Sequence, residues 1–316
     1  MDTMAVVLKQ PRQIALSRLD LTPPCDGDVV VDIEWSGIST GTERLLYTGA
    51  MPSFPGMGYP LVPGYESVGR IRACGRSARG SLGAGVGDRV FVPGARCFGD
   101  VRGLFGGAAA RVVIPAERAL PFDEDLGERG VLLALAATAW HVTATPGALV
   151  PDLIVGHGVL GRLLARIAVA HGAPPVVWES NPDRHAGAEG YAVVTPDQDD
   201  RRDYRSICDV SGDSALLDTL IARLAPGGEI VLAGFYSKPV QFAFPPAFMR
   251  EARLRIAAQW APADLLAVRD AVQDGVLSLD GLITHRVEAT DAADAYRIAF
   301  SDPGCLKMIL DWRACV

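Results

Sequence analysis

Lysine is nearly missing from this chain. Among 30 basic side chains only Lys9, Lys238 and Lys307 are lysines, so arginine carries almost all the positive charge and few residues remain for amine chemistry. Paired cysteines are missing too. Cys25, Cys74, Cys97, Cys208, Cys305 and Cys315 form no C-x-x-C motif, and none is flanked by histidine at zinc-finger spacing, which excludes a zinc ribbon or finger. Six reduced thiols in a cytoplasmic protein are expected instead. Long apolar runs are lacking: the most extended helix-like one, residues 131–140, falls far short of the roughly 20 residues a membrane span needs. The N-terminus has no basic region followed by an apolar core, so no secretory leader is expected. A loose association with a membrane surface stays open. No excess of positive charge is present either; 37 acidic residues give a net charge of −7, which offers no reason to expect nucleic acid as a partner.

What is present suggests two domains in 316 residues, with 49% hydrophobic side chains to fill their cores. The first part reads as β-rich. Short apolar runs at 5–8, 29–33, 67–71, 88–92 and 110–114 are punctuated by Gly and Pro, as in a barrel-like fold. Between about 123 and 144 alanine and leucine dominate, and because no glycine or proline interrupts 131–145 a helix leading into the next domain is expected there. From Pro151 strands and helices alternate. Strands are expected at 153–155, 176–179, 192–194, 207–210, 230–233 and 254–258. Helices are expected at 216–224, closed by Pro226-Gly227-Gly228, and at 262–274. This alternation argues for a doubly wound parallel sheet. The tail, with a helix over 290–300 and a strand over 307–310, returns to the style of the first part. The domains are therefore expected to be 1–122 with 285–316, and 123–284.

One segment names a ligand class. The apolar run Leu153-Ile154-Val155 leads into Gly156-His157-Gly158-Val159-Leu160-Gly161 and then into a helix. In a strand, G-x-G-x-x-G turn and helix, the first glycine permits the tight turn and the second lets the backbone approach a pyrophosphate. The third lets helix and strand pack closely. Glu179 closes the next apolar run about 20 residues on, where an acid meets the adenosine ribose hydroxyls and repels a ribose phosphate. NAD is therefore expected over NADP. His157, inside the turn, is expected to point at solvent or the cofactor, and His141 to be a satisfied structural histidine.

These pieces together resemble the medium-chain dehydrogenase/reductase superfamily over essentially the whole chain. Residues 37–43, Gly-Ile-Ser-Thr-Gly-Thr-Glu, are similar to its G-I-C-G-T-D segment, and 60–69 to its P-x-x-x-G-H-E-x-x-G segment. Gly87-Asp88-Arg89-Val90, the helix at 135–141 and Ala225-Pro226-Gly227-Gly228 follow in the family's order. The resemblance implies an α/β chain with a GroES-like β-rich catalytic domain and a Rossmann domain. It implies NAD bound by Gly156, Gly158, Val159, Leu160, Gly161, Glu179, Ser180 and Thr138, and, by analogy, a homodimer. Within the superfamily, the runs 36–49 and 54–66 are most similar to a member that oxidises a hydroxyethyl side chain of a bacteriochlorophyll precursor to acetyl. A tetrapyrrole is thus the implied substrate.

The departures bear on the chemistry. Metal-dependent members hold zinc with Cys, His and a second Cys or acid. Here the first position carries Thr40, or Ser39 if the register slips by one; the histidine position carries Tyr65; the third carries Ala134. Only Glu66 remains of the usual set, so no catalytic metal is expected. A Tyr-x-x-x-Lys pair is also missing, since no tyrosine has lysine four residues on. What remains is hydrogen-bonded acid–base chemistry. The resemblance places Thr40, Thr42, Tyr65 and Glu66 near the nicotinamide, with Tyr65 or Thr40 on the substrate oxygen and Glu66 relaying or orienting. Packing of Tyr65 as the wall of a wide aromatic pocket is the competing reading. Two other functions stay open: a zinc-free quinone or enoyl reductase, and a non-catalytic nucleotide-binding protein of the same fold.

Overall fold

The computed structural model describes residues 1–316, apart from the side chain of Ser81. The chain forms two compact units, residues 1–134 with 282–316, and residues 135–281. The expected boundaries at 122 and 285 differ. Residues 123–134 sit with the first unit because the 3-10 segment Glu124–Leu132 packs on the strands of that unit. Gly127, at φ 52° and ψ −133°, breaks this segment, and the helix expected in the uninterrupted run 131–145 forms as Leu133–Ala144.

In the first unit, β1 (Asp2–Gln10) and β2 (Gln13–Asp20) form an antiparallel hairpin. Next come β3 (Asp28–Ile38), helix α1 (Thr42–Thr48), β4 (Leu61–Val62), β5 (Ser67–Cys74), helix α2 (Ala78–Ser81), β6 (Arg89–Val92), β7 (Arg102–Gly103), β8 (Arg111–Pro115) and β9 (Leu120–Pro121). The eleven-residue β3 is the spine. It pairs antiparallel with β5 and β8, and it is buried on both faces through Val29, Val31, Ile33 and Ile38. Sequence patterning missed β2 because its side chains are only partly covered, leaving no clean alternation.

The second unit opens with α3 (Leu133–Ala144), which starts two residues before the boundary. It continues through β10 (Leu153–Val155), α4 (Val159–Ala170), β11 (Val176–Trp178), β12 (Ala192–Val194), β13 (Tyr204–Asp209), α5 (Leu217–Arg223), β14 (Leu224–Leu232), α6 (Phe244–Met249), β15 (Arg253–Ile256) and α7 (Pro262–Gln273). Its six strands are all parallel, in the order β12-β11-β10-β13-β14-β15. Pro226-Gly227-Gly228, expected as a turn closing a helix, lies within β14, because α5 already ends at Arg223. Leu153, Ile207, Ile230 and Leu220 fill the core beneath the sheet.

The tail supplies β16 (His285–Glu288), α8 (Ala292–Ser301) and β17 (Met308–Asp311) to the first unit. β17 adds antiparallel to β3, and Trp312 behind it is fully buried with its indole N–H on Ser36 Oγ at 2.8 Å. No helix among the described residues is long and apolar enough to cross a membrane. No disulfide joins any two of the six cysteines.

Candidate functional site

The glycine turn lies where the strand order reverses. β10 and β13 are neighbours, yet the chain goes outward from β10 through β11 and β12 before returning to β13. Ligands of open parallel sheets bind at the carboxyl ends of the strands at such a point. Gly156, just beyond β10, has φ +107°, a conformation that costs a side-chain-bearing residue dearly. A Cβ on Gly161 would run into the Gly156 carbonyl oxygen, so only glycine lets α4 come this close to the strand. Gly158 caps the twelve-residue α4, whose first turn directs N–H groups outward. Val159 is buried and Leu160 half-buried; on α3, Thr138 is half-buried.

Glu179 follows β11 directly. Its carboxylate accepts from the backbone N–H of His157 at 3.2 Å and of Asn181 at 2.8 Å, which ties it to the glycine turn. Ser180 beside it is exposed. His157 contradicts its expectation: it points neither to solvent nor outward, but is fully buried. Its Nδ1 donates to the Arg184 carbonyl at 2.6 Å, and Nε2 accepts from the Tyr191 hydroxyl at 2.8 Å. Burial pushes its pKa down to about 4, so the ring is neutral at physiological pH. His141 is indeed structural, with Nδ1 on Asp264 Oδ2 at 2.7 Å.

A separate polar cluster lies in the first unit, at the end of β3. Ser39 Oγ and Tyr65 Oη are 2.7 Å apart, and Thr42 also hydrogen-bonds Tyr65. The Ser39 N–H donates to Glu43 Oε1 at 3.2 Å, and the Tyr296 hydroxyl, from α8, donates to Glu43 Oε2 at 2.6 Å. Tyr65 is raised well above the ordinary phenol range by burial and by the charge of Glu66, so it stays protonated. Of the two candidates at 39–40, Ser39 is buried on Tyr65, whereas Thr40 is exposed. Glu66 is fully buried with Oε2 on Lys307 Nζ at 2.6 Å, and that ammonium also donates to the Ile38 carbonyl at 3.2 Å. Glu66 therefore anchors the backbone next to Tyr65 rather than joining the hydroxyl set. Its Oε1 has no hydrogen-bond partner.

Sequence reasoning left Ser39 as a secondary option and overlooked Glu43, Tyr296 and Lys307. The scarcity of lysine was the available signal for Lys307. Glu43 was visible only as the last letter of a motif.

These residues do not fit zinc. Ser39 and Tyr65 offer hydroxyls bonded to each other, Ala134 offers a methyl group, Glu66 is paired with Lys307, and both oxygens of Glu43 are taken by the Ser39 N–H and the Tyr296 hydroxyl. No group of three His, Cys, Asp or Glu among the described residues is placed to hold a metal ion.

Glu43 makes stability depend on pH. Burial raises its pKa from 4.5 to about 7, against the opposing hydrogen bond from Tyr296. Between those values the folded chain holds a proton that the unfolded chain has lost. Stability therefore falls as pH rises through this window, by up to about 1.4 kcal/mol per pH unit, and levels off above it. Glu43→Gln keeps an acceptor for Ser39 without the charge. It is expected to flatten this part of the urea-denaturation profile and to melt above the wild type at pH 8. A profile as steep as that of the wild type would remove Glu43 as the cause.

Residues 25–124 match the family model of the alcohol dehydrogenase GroES-like domain. The chain is 59% identical to the 2-desacetyl-2-hydroxyethyl bacteriochlorophyllide A dehydrogenase of Cereibacter sphaeroides, over 99% of both chains. It is 58% identical to the protein of the same name from Rhodobacter capsulatus, again over 99% of both. Among solved structures it is similar to a short chain alcohol dehydrogenase from Escherichia coli CFT073 complexed with NADH. That likeness has a TM-score of 0.82 and 22% identity, and covers 98% of this chain and 99% of the other.

Proposed function

The chain belongs to the medium-chain dehydrogenase/reductase family, and on that premise we propose that it oxidises the 3-(1-hydroxyethyl) group of a bacteriochlorophyllide to 3-acetyl, with NAD as hydride acceptor and no resident metal. The observation that carries this reading is the 59% identity, over 99% of both chains, to an enzyme named for that substrate. Gly156, Gly158, Gly161 and Glu179 support the dinucleotide, and the departures at Ser39, Tyr65 and Ala134 support chemistry without zinc.

Gly156, Gly158, Gly161 and Glu179 would hold the dinucleotide, which would supply the hydride acceptor for the carbinol carbon. The alcohol proton is the task of the chain's own residues. Tyr65 holds the substrate oxygen. A proton arriving at its phenol oxygen is matched by one leaving to Ser39 Oγ along the 2.7 Å hydrogen bond, and Ser39 in turn releases its own hydroxyl proton to water, so neither hydroxyl needs to ionise. Glu43 fixes Ser39 through its N–H, and the Glu66–Lys307 pair fixes the backbone beside Tyr65. Thr42 steadies the phenol; Thr40, on the surface, has no part in this scheme.

Anaerobic incubation with NAD and a hydroxyethyl bacteriochlorophyllide tests the reading, since conversion to acetyl shifts the absorption of the macrocycle. Folded, NAD-binding protein that produces no shift would leave the non-catalytic alternative standing. Stoichiometric zinc found by elemental analysis would overturn the metal-free scheme.

Glu179 is expected to make NADH bind about tenfold or more tightly than NADPH, because a ribose phosphate would lie against a carboxylate. Fluorescence titration of both cofactors measures this, and a preference for NADPH would restore the quinone or enoyl reductase reading.

We also propose a homodimer through β15. This edge strand exposes Leu254 and Ile256, and α6 just before it exposes Phe248 and Met249. A two-fold pairing of this edge with itself would satisfy its open backbone groups and cover the apolar side chains. Ile256→Asp is expected to shift sedimentation toward the monomer, and a wild type already monomeric at micromolar concentration would refute the dimer.

A further inference from the structure

We propose that His157, together with Tyr191 and Arg162, is a positioning device that holds Glu179 and the segment after it against the glycine turn, and so sets affinity and selectivity for the adenosine half of the dinucleotide. This rests on the reading of the second unit as a dinucleotide site.

The middle residue of a G-x-G turn needs only a backbone, and its side chain normally has no work. Here it is a buried imidazole with both nitrogens used. The Nδ1 bond reaches Arg184 and the Nε2 bond reaches Tyr191, so one side chain spans most of the connection from β11 to β12. The Tyr191 ring stands edge-on to the imidazole, with centroids 5.6 Å apart. Arg162, on the first turn of α4, adds two bonds in the same place, to the His157 carbonyl at 3.1 Å and to the Arg184 carbonyl at 3.0 Å. Gly187 gives this guanidinium its room, because a Cβ there would collide with it. Glu179 closes the loop by accepting the His157 N–H, while its carbonyl oxygen pairs with His185 Nε2 at 2.8 Å.

The glycine turn and the acid that selects the ribose are therefore one hydrogen-bonded body. Preorganisation of this kind acts on binding and leaves the chemical step alone. A neutral imidazole is required, since Nε2 must accept from Tyr191, and burial keeps it neutral down to about pH 4.

The test is titration of His157→Ala and Tyr191→Phe with NADH and NADPH, beside thermal melting. His157→Ala is expected to weaken NADH binding about tenfold while weakening NADPH binding less, so that the ratio of the two affinities narrows. Tyr191→Phe, which removes a single hydroxyl, is expected to weaken NADH about three- to fivefold and to fold in any case. His157→Gln, whose amide can still donate to Arg184, is expected to recover part of the loss. A wild type that binds neither dinucleotide defeats the reading of the site. A wild type that binds NADH, with variants whose affinities and ratio stay within twofold of it, defeats this inference alone.

Discussion

Tyr65→Phe is expected to lower kcat by about 10² to 10⁴, the range lost with a positioned acid–base group. NADH affinity should stay unchanged, because the groups proposed to hold the dinucleotide, Gly156, Gly158, Gly161 and Glu179, are untouched by this substitution. The ring should stay where it is, since it packs edge-on against Phe105 at 5.3 Å and that contact needs no hydroxyl. The cost in stability is confined to the partners left on Ser39 and Thr42, about 1–3 kcal/mol for a buried hydroxyl without its bond. The diagnostic combination is therefore a collapse of kcat with a nearly intact melting curve and an intact titration. Ser39→Ala should lower kcat in the same direction, since it removes the outlet for the proton while leaving the phenol. Turnover preserved in Tyr65→Phe would reduce Tyr65 to a wall of the substrate pocket, the competing reading of the sequence.

Lys307→Met is expected to destabilise the chain by about 3–5 kcal/mol, the usual loss when one partner of a buried ion pair is removed and the other charge is stranded. Lys307 and Glu66 are 1% and 0% exposed, so no water can take over the role of the ammonium. The site would suffer as well, because Glu66 directly follows Tyr65 and its carbonyl accepts the Gly37 N–H at 2.7 Å. The double variant Glu66→Gln/Lys307→Met separates charge from packing. With both charges gone it should return most of the stability, since apolar or neutral replacements of a buried pair are often nearly neutral. Urea denaturation at pH 7 of the wild type, the single and the double variant measures all three. A single variant within about 1 kcal/mol of the wild type would mean that Glu66 finds another partner.

The same residues show what a sequence can reveal and what it cannot. Gly156, Gly158, Gly161 and Glu179 were legible because their roles depend on local geometry: a strand, a turn and a helix within a few residues, then an acid at the end of the next strand. The parallel strands were legible for a similar reason, as short apolar runs separated by helices, with errors only at their ends. At Pro226-Gly227-Gly228 turn residues entered a strand. His157 was misread because its partners, Arg184 and Tyr191, are 27 and 34 residues away and carry no motif. Tyr65 was singled out as a candidate, but its hydrogen-bond partner was left open. A one-residue uncertainty between Ser39 and Thr40 decides whether a hydroxyl faces the phenol or the solvent, and local patterning does not resolve a single residue.

By itself the sequence determined the two-part architecture, the dinucleotide turn, the acid that closes it and the absence of the usual zinc-binding side chains, since each of these is written in neighbouring residues. Only the tertiary structure decided which groups complete the site. Tyr296 reaches Glu43 across 253 positions and Lys307 reaches Glu66 across 241. Burial converts those meetings into chemistry: it neutralises one acid with a lysine, moves the pKa of the other to about 7, and keeps the Tyr65 phenol protonated. Such effects arise from removing water around groups that the chain keeps far apart, and no local pattern encodes them.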